Sequence, residues 1–385
     1  MAGVSYALAD FVTGGPILDL PVKEGASWGA QLNRPDTVSC SVDMNDPDAL
    51  ALDLRSSSEP NKTLLIARTD DDVVLAWGLI GDDGREWDED SRTLSLSATG
   101  VLSSFFGKTI IAPSAAKTDS LITLDGEGYP VVNPALNSSY AGLSLGSIGK
   151  RLVAARLAFP GAPTVFDLPA DEIGTRERAY LFASMKSIGS ALGDLTGVEN
   201  GPDFAFEARR GAGLGLRYLM RHGSEANPRI GSDAGSWHLG EGSPITGLKV
   251  KDAIAAGASA GWMTAGKQAG AALISRVLNP APLAAGYPPL DLVDTSHSDV
   301  SVQATLDAYN TENMRDAGTA TRDLSFTVRA DATPALGSYR PGDTMMIDIP
   351  DGHPWLTTSI PIRITSISGD EAGLDVKIGC VILNA

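Results

Sequence analysis

The sequence predicts a mostly β protein in which two small β-barrel domains flank a mixed α+β middle region. Polar and apolar residues alternate with the period of two that is typical of strands up to residue 111 and again after residue 320. Between these regions, apolar residues recur at helical spacing and glycine and proline are frequent. The length of 385 residues suits two or three domains of ordinary size.

The N-terminal β-barrel domain is predicted at residues 1–111. Asp46 followed by Pro47 has the residue types of a helix N-cap and first turn, so a short helix should begin there. Thr69–Asp72 is a short polar segment between two apolar runs, which predicts a tight hairpin. The strands of this domain are predicted at residues 18–22, 37–44, 64–68, 73–80 and 94–98.

Residues 112–141 are predicted to be a linker or long connection, because proline, serine, asparagine and glycine replace the alternating pattern. A mixed α+β middle region follows at residues 142–300. Its first helix should begin after Ser144 as the N-cap and end before Pro160. The other elements predicted here are a helix at about residues 183–195, ending at Gly197, and strands around residues 204–206 and 214–220.

Residues 301–385 are predicted to form a helix followed by the C-terminal β-barrel domain. Leu306 and Tyr309 mark one face of the helix, and Gly318 is a suitable residue just after its end. Residue types that favour turns separate the strands that follow. These strands are predicted at residues 324–328, 345–349, 360–364 and 374–382.

Charge and composition exclude several classes of function. The chain carries 47 acidic and 30 basic residues, a net charge of −17, so it should repel phosphate backbones and is not expected to bind nucleic acid directly. Cys40 and Cys380 are too few for a disulfide framework or a zinc site. Asp10 interrupts the first apolar stretch, and no stretch is apolar enough to span a bilayer. We therefore expect synthesis in a cytoplasm, without a signal peptide.

Two segments match the Gly-x-Ser-x-Gly pattern that places a nucleophilic serine on a strand-to-helix turn: residues 142–146 and 257–261. The residues before Ser144 are polar, whereas the motif needs an apolar strand, so Ser144 is better explained as a helix cap. The glycines at 266 and 270 weaken the helix that should follow Ser259. We predict no catalytic residue, and a serine hydrolase is kept as an alternative.

No metal or cofactor site is predicted. The four histidines lack the i, i+4 spacing that places two imidazoles on one helix face, and the acidic groups at 70–72 and 82–90 lack the spacing of a calcium loop. The glycine-rich run at 211–215 is interpreted as a turn, because it lacks the register of a phosphate-binding loop. The six tryptophans are spread singly, which favours packing over a sugar-binding platform. The histidines are His222, His238, His297 and His353.

Three stretches resemble minor tail proteins, of the baseplate hub type, from siphophages that infect actinobacteria. The first is Trp28–Asn33 before the strand at 37–44, and the second is Thr196–Phe206 between a helix and a strand pair. The third is the late helix leading into Tyr339–Asp343.

The resemblance implies a virion protein of the tail tip, made in the host cytoplasm, that assembles as a homotrimeric ring. Such a hub joins the tail tube to the tip and gates the DNA channel, so its partners would be other tail tip and tail tube proteins. The resemblance implies no enzyme activity and no cofactor. The net charge of −17 adds the expectation that the channel wall is acidic, which would keep passing DNA from adhering to it. A host-surface glycan-binding adhesin and a serine hydrolase acting on the cell envelope are the alternatives.

Overall fold

The structure is a computed structural model that describes residues 3–383 except 114–119, 212, 214, 254–257, 269–270, 298–299, 301, 319–320, 352 and 357–358. Strands make up 45% and helices 16% of the chain, which confirms the predicted mostly β class. None of the helices in the described ranges is long and apolar enough to cross a lipid bilayer.

The elements follow one another with short connections. The helices are α1 (Pro47–Leu50), α2 (Leu54–Ser57), α3 (Val101–Ser104), α4 (Leu145–Leu157), α5 (Ile188–Thr196), α6 (Ala281–Ala284) and α7 (Gln303–Gly318). The strands are β1 (Val4–Asp10), β2 (Leu18–Leu20), β3 (Ser27–Gln31), β4 (Thr37–Asp43), β5 (Thr63–Thr69), β6 (Val74–Asp88), β7 (Thr93–Thr99), β8 (Ile122–Leu124), β9 (Pro130–Val132), β10 (Ser138–Leu143), β11 (Phe166–Asp167), β12 (Arg176–Tyr180), β13 (Phe204–Arg210), β14 (Leu216–His222), β15 (Asp233–His238), β16 (Ile245–Ala253), β17 (Ala260–Gln268), β18 (Ala271–Leu278), β19 (Asp291–His297), β20 (Thr321–Arg329), β21 (Thr344–Asp348), β22 (Ile360–Asp370) and β23 (Asp375–Ile382).

Strands from both ends of the chain form one sheet of 13 strands. Its main path runs β16-β20-β23-β22-β3-β4-β7-β6-β5-β1-β2, and β21 and β15 branch from β22. The two predicted β-barrels are not found as closed barrels among the described strands. The reason is that β22 is long enough to pair with β21 and β23 and also with β3, so the two halves continue into each other. The edges of the N-terminal half touch at a single bridge between Val22 and Val42.

The pairing of β3 with β22 forms a seam between the two halves. Ser27–Gln31 runs antiparallel to Ser366–Asp370, and the Leu32 amide extends the seam by donating to the Thr365 carbonyl at 2.9 Å. Segments more than 330 positions apart in the sequence are thus hydrogen-bonded neighbours. We call these paired residues the seam.

Strands β1 and β5 and the first part of β6 are buried on both faces. Along β5, Leu65 and Ala67 enter a core shared by both halves of the sheet, whereas Leu64 and Ile66 enter a second core against the middle region. Strand β1 is divided in the same way and therefore lacks a polar–apolar alternation. This is why the sequence analysis did not predict β1.

The middle region packs α4, α5 and the three-stranded sheet β11-β14-β13 on this second core. Helix α7 covers β17 and β18 of another three-stranded sheet, β18-β17-β19. Strands β15 and β16 precede residue 300 but pair with β21 and β20, which follow it. The C-terminal half of the sheet therefore draws on both predicted ranges.

Most predicted elements are present, with shifted ends. Ser144 caps α4, accepting from the Ser147 amide at 3.2 Å, and Asp46 caps α1, as predicted. Helix α5 begins at Ile188 rather than near 183, because Ser187 is its N-cap. Strand β6 continues past residue 80 to Asp88 through a register shift. The predicted connection at 112–141 contains the hairpin β8-β9 and most of β10, and its residues 114–119 lie outside the described part.

Trp77 ties the N-terminal half to the middle region, and its removal should be costly. The side chain is 2% exposed, stacks on Tyr218 at 4.8 Å between ring centroids, and donates to the Phe206 carbonyl at 3.1 Å. We expect Trp77→Ala to lower the free energy of unfolding by about 3–5 kcal/mol. The measurement is urea denaturation followed by circular dichroism. Trp355→Ala, at a site 61% exposed, is the control and should change it by less than about 0.5 kcal/mol. Equal losses in the two variants would contradict this packing.

Candidate functional site

A buried carboxylate lies at the end of the seam. Asp203, immediately before β13, is fully buried. Its carboxylate accepts from Asn33 Nδ2 at 2.8 Å, from the Ile230 amide at 3.1 Å and from Arg229 Nη1 at 3.4 Å, and it also pairs with Arg363. A charge removed from water requires such a set of donors, because burying it unpaired costs several kcal/mol. These five residues are called the Asp203 cluster.

The donors come from separate parts of the chain. Asn33 follows β3, and its left-handed backbone, φ +57°, lets its side chain also accept from the Phe204 amide at 2.7 Å. Arg363 lies on β22 and donates further to the carbonyls of Gly342 at 3.1 Å and Ile230 at 2.9 Å. The Asp203 cluster therefore fastens both strands of the seam to the middle region.

Two further acidic residues, Asp36 and Glu207, line an adjoining cavity of about 70 Å³. Glu207 on β13 pairs with Arg340 and accepts from Arg221 at 2.7 Å. Asp36 lines the same cavity, and burial raises its pKa to about 8, with a smaller contribution from the negative charge of Glu207. Hydrogen bonds from the backbone amides of Trp77 and Gln31 lower the pKa of Asp36, but by less than burial raises it. Near neutral pH, Asp36 is thus mostly a neutral acid that lies beside the salt bridge between Glu207 and Arg340.

The three stretches singled out in the sequence meet here. Trp28–Asn33 supplies Asn33, Thr196–Phe206 supplies Asp203, and Tyr339–Asp343 supplies Arg340. Arg229 and Arg363 could not be predicted from the sequence, because a long-range ion pair leaves no local pattern. These three stretches therefore supply residues that hold the parts of this chain together.

One face of the large sheet lies opposite the shared core. The middle region covers this face over β1, β5 and β6. The face is open over β3, β4, β7, β16, β20, β22 and β23. On those strands the outward residues are mainly small and hydroxylated. Hydroxyls bond across strands, for example Ser27 with Ser39 at 2.9 Å and Ser41 with Ser95 at 3.2 Å. We call this surface the hydroxyl face; its residues are Ser27, Thr37, Ser39, Ser41, Ser95, Ser97, Thr99, Thr246, Ser325, Thr327, Ser366 and Ser368.

The two serines of the Gly-x-Ser-x-Gly matches have structural contacts. Ser144 is 1% exposed and bonds Ser147 as a cap. Ser259 donates to the Leu290 carbonyl at 3.3 Å, and Gly257 of its motif lies outside the described residues. Within the described ranges, neither serine is hydrogen-bonded to a histidine.

The other candidate residues are likewise explained by local structure. His353 accepts from the amides of Trp355 and Leu356 in a turn, and Asp88 accepts from the amides of two following residues at a hairpin tip. The Gly211 amide donates to the Gly215 carbonyl between β13 and β14, and residues 212 and 214 are outside the described part. The described residues contain no group of three or more His, Cys, Asp and Glu placed to bind a metal ion. Trp28, Trp77 and Trp237 are core residues, whereas Trp87 and Trp355 are exposed.

Removing the carboxylate of the Asp203 cluster should destabilise the chain strongly. Asp203→Ala removes the buried negative charge that Arg229 and Arg363 share and the acceptor of the Ile230 amide, and we expect the free energy of unfolding to fall by about 3–5 kcal/mol. Asp331→Ala is the matched control, since Asp331 pairs with Arg329 at 2.9 Å but is 62% exposed. Its loss should stay below about 1 kcal/mol. Urea denaturation followed by tryptophan fluorescence measures both, and a similar small loss for Asp203→Ala would contradict the role given to this residue.

Asp36 should make stability depend on pH. Its folded pKa of about 8 is above the unfolded value of about 3.9, so the folded state binds the proton more tightly. Wild-type stability relative to Asp36→Asn should therefore fall as the pH rises from about 4 to about 8 and stay constant above that. Denaturation of both proteins across this range measures the difference. A difference that is flat, or that changes in the opposite direction, would show that Asp36 is not held as a neutral acid.

Comparison with known proteins places the fold. A scan against models of protein families finds no match, and a search of curated proteins finds none either. Among solved structures, the chain is similar to the tail protein from Neisseria meningitidis MC58, with 11% identity, coverage of 99% of this chain and 97% of that chain, and a TM-score of 0.58. It is also similar to the 43 kDa tail protein of prophage MuSo2 from Shewanella oneidensis, with 11% identity, 98% coverage of both chains and a TM-score of 0.55. The chain thus shares its fold, over nearly its whole described length, with these two tail proteins.

Proposed function

We propose that this chain is a structural protein of a phage tail. In its finer form, the proposal is a baseplate hub at the tail tip, where a homotrimeric ring joins the tail tube to the tip and gates the DNA channel. The likeness to two tail proteins across nearly the full length of all three chains is the observation that carries it. The siphophage source and the actinobacterial host rest on the resemblance of the three sequence stretches alone.

The architecture supports a structural role. The seam and the Asp203 cluster fasten the two ends of the chain and its middle region into one body. A chain whose parts are joined in this way suits a building block of a larger particle. The contacts described for Ser144, Ser259 and His353 are structural ones.

We assign the hydroxyl face to the wall of the proposed channel. Lysine and arginine would bind phosphates and hold passing DNA, whereas uncharged hydroxyls offer no such attraction. The row Ser97-Ser39-Ser27 carries no basic side chain, whereas Lys377 on β23 lies in another row, between Thr327 and Ser368. This assignment replaces the acidic wall expected from net charge with a hydroxyl-rich one.

Charge placed on this face should slow DNA passage. We expect Ser39→Lys combined with Ser97→Lys to leave particle assembly intact and to slow DNA ejection, with the delay reduced at high salt because added ions screen the contacts. Ser103→Lys with Ser190→Lys, at exposed helical positions, is the control and should leave ejection unchanged. Ejection from assembled particles is measured by release of a DNA-binding dye. Normal DNA ejection by particles with the Ser39/Ser97 variant would contradict the channel assignment. If purified wild-type particles do not contain this protein, the tail function itself is wrong.

A further inference from the structure

The hydroxyl face belongs to a run of eight strands with two free edges. The run is β6-β7-β4-β3-β22-β23-β20-β16, and all seven of its pairings are antiparallel. One free edge is β16, where the strand path ends. The other is the distal part of β6, because residues 85–88 pair with β7 and with no other described strand, whereas β5 pairs with residues 74–79. Exposed edges of this kind are ready to pair with another chain.

The β6 edge is acidic on its open face. Glu86 lies opposite Ser95 and Asp88 opposite Thr93, which places both carboxylates on the side of the hydroxyl face. Both are exposed, and Asp83 is exposed nearby. Between them, Trp87 lies opposite the core residue Leu94 yet is 46% exposed. An exposed indole on the core side indicates an unfinished apolar layer at this edge.

The β16 edge has the same pattern with the opposite charge. Lys249 and Lys251 are exposed and lie opposite Ser325 and Asp323 of β20, on the open side of the sheet. Neither lysine forms an ion pair with a described residue within 4.0 Å. Leu248 and Val250 alternate with them and pack, partly buried, against the shared core. Charged residues on one face and apolar residues on the other therefore occur at both edges.

The direction of the strands matches as well. In a run of eight strands with seven antiparallel pairings, the first and last strands run in opposite directions. If copies are related by rotation about one axis, β16 of one copy then meets β6 of the next as an antiparallel neighbour, and the alternation continues. The two edges differ in sequence, so the contact is head-to-tail, the type that closes into rings.

We propose that the β16 edge of one copy pairs with the β6 edge of a second copy of this chain. Lys249 and Lys251 then face Glu86 and Asp88 on the channel side, and Trp87 is covered by Leu248 and Val250 on the core side. The charges also select the order of the copies. Two β16 edges would bring lysines together and two β6 edges would bring carboxylates together, and repulsion between like charges opposes both contacts. The inference rests on the ring of the proposed function and names the surfaces that form it.

Cysteine cross-linking tests which edges meet. The full chain is made with Lys249→Cys or with Glu86→Cys, and a short bismaleimide is added to each variant and to their mixture. The native thiols of Cys40 and Cys380 are 4% and 2% exposed and should not react. A head-to-tail contact predicts dimers in the mixture and few in either variant alone. Lys377→Cys mixed with Glu86→Cys is the control, since Lys377 is exposed on β23 within the sheet.

Charge reversal tests the electrostatic part by sedimentation velocity over a range of concentrations. Lys249→Glu with Lys251→Glu should weaken self-association at least about tenfold, and Glu86→Lys with Asp88→Lys added to the same chain should restore it. The matched control, Lys377→Glu, should have no such effect.

The outcomes separate this inference from the function on which it rests. If the wild-type chain associates but the mixture does not cross-link, if single variants cross-link alone, or if Lys377→Glu weakens association equally, the edge contact is wrong and the tail function stands. If the wild-type chain neither associates in solution nor cross-links in assembled tails, both the edge contact and the ring are wrong.

Discussion

The antiparallel pairing of β3 with β22 is the interaction on which the rest of the structure depends. Without it, the strands at the two ends of the chain would be separate small sheets, each with an additional exposed edge. With it, the hydroxyl face extends over both halves, and the two apolar cores lie on opposite sides of one sheet. The Asp203 cluster protects this seam, because Asn33 and Arg363 continue directly from its two strands and share one buried carboxylate with the middle region.

Burial of charge gives this junction specificity as well as strength. A carboxylate without water is stable only when its donors are in place, so a misplaced middle region would leave both Asp203 and its arginines unpaired. Hydrophobic contact alone would tolerate several arrangements of the same surfaces. The neutral Asp36 beside the Glu207–Arg340 pair adds a second polar contact that depends on the same arrangement.

Local structure was predictable where one strand face is wet and the other dry. Strands β4, β7 and β20–β23 were predicted for this reason, and the caps at Asp46 and Ser144 were predicted from their residue types. Strand β1 was missed because both of its faces are buried, and the extension of β6 because its register shifts. The expected closed barrels are not found among the described strands, and no local pattern reveals that β22 pairs with a strand some 340 positions earlier. Of the site, the resemblance contained Asn33, Asp203 and Arg340, but their partners are set by tertiary structure.

We propose that a single sheet, made from both ends of the chain, is the element that copies share around a tail axis. An electron cryomicroscopy map of the assembled tail tip tests it most directly. We expect the map to contain copies arranged around the axis, with the hydroxyl face towards the lumen and the middle region outside it. Copies that stand apart from the axis, or that turn the hydroxyl face away from the lumen, would contradict it.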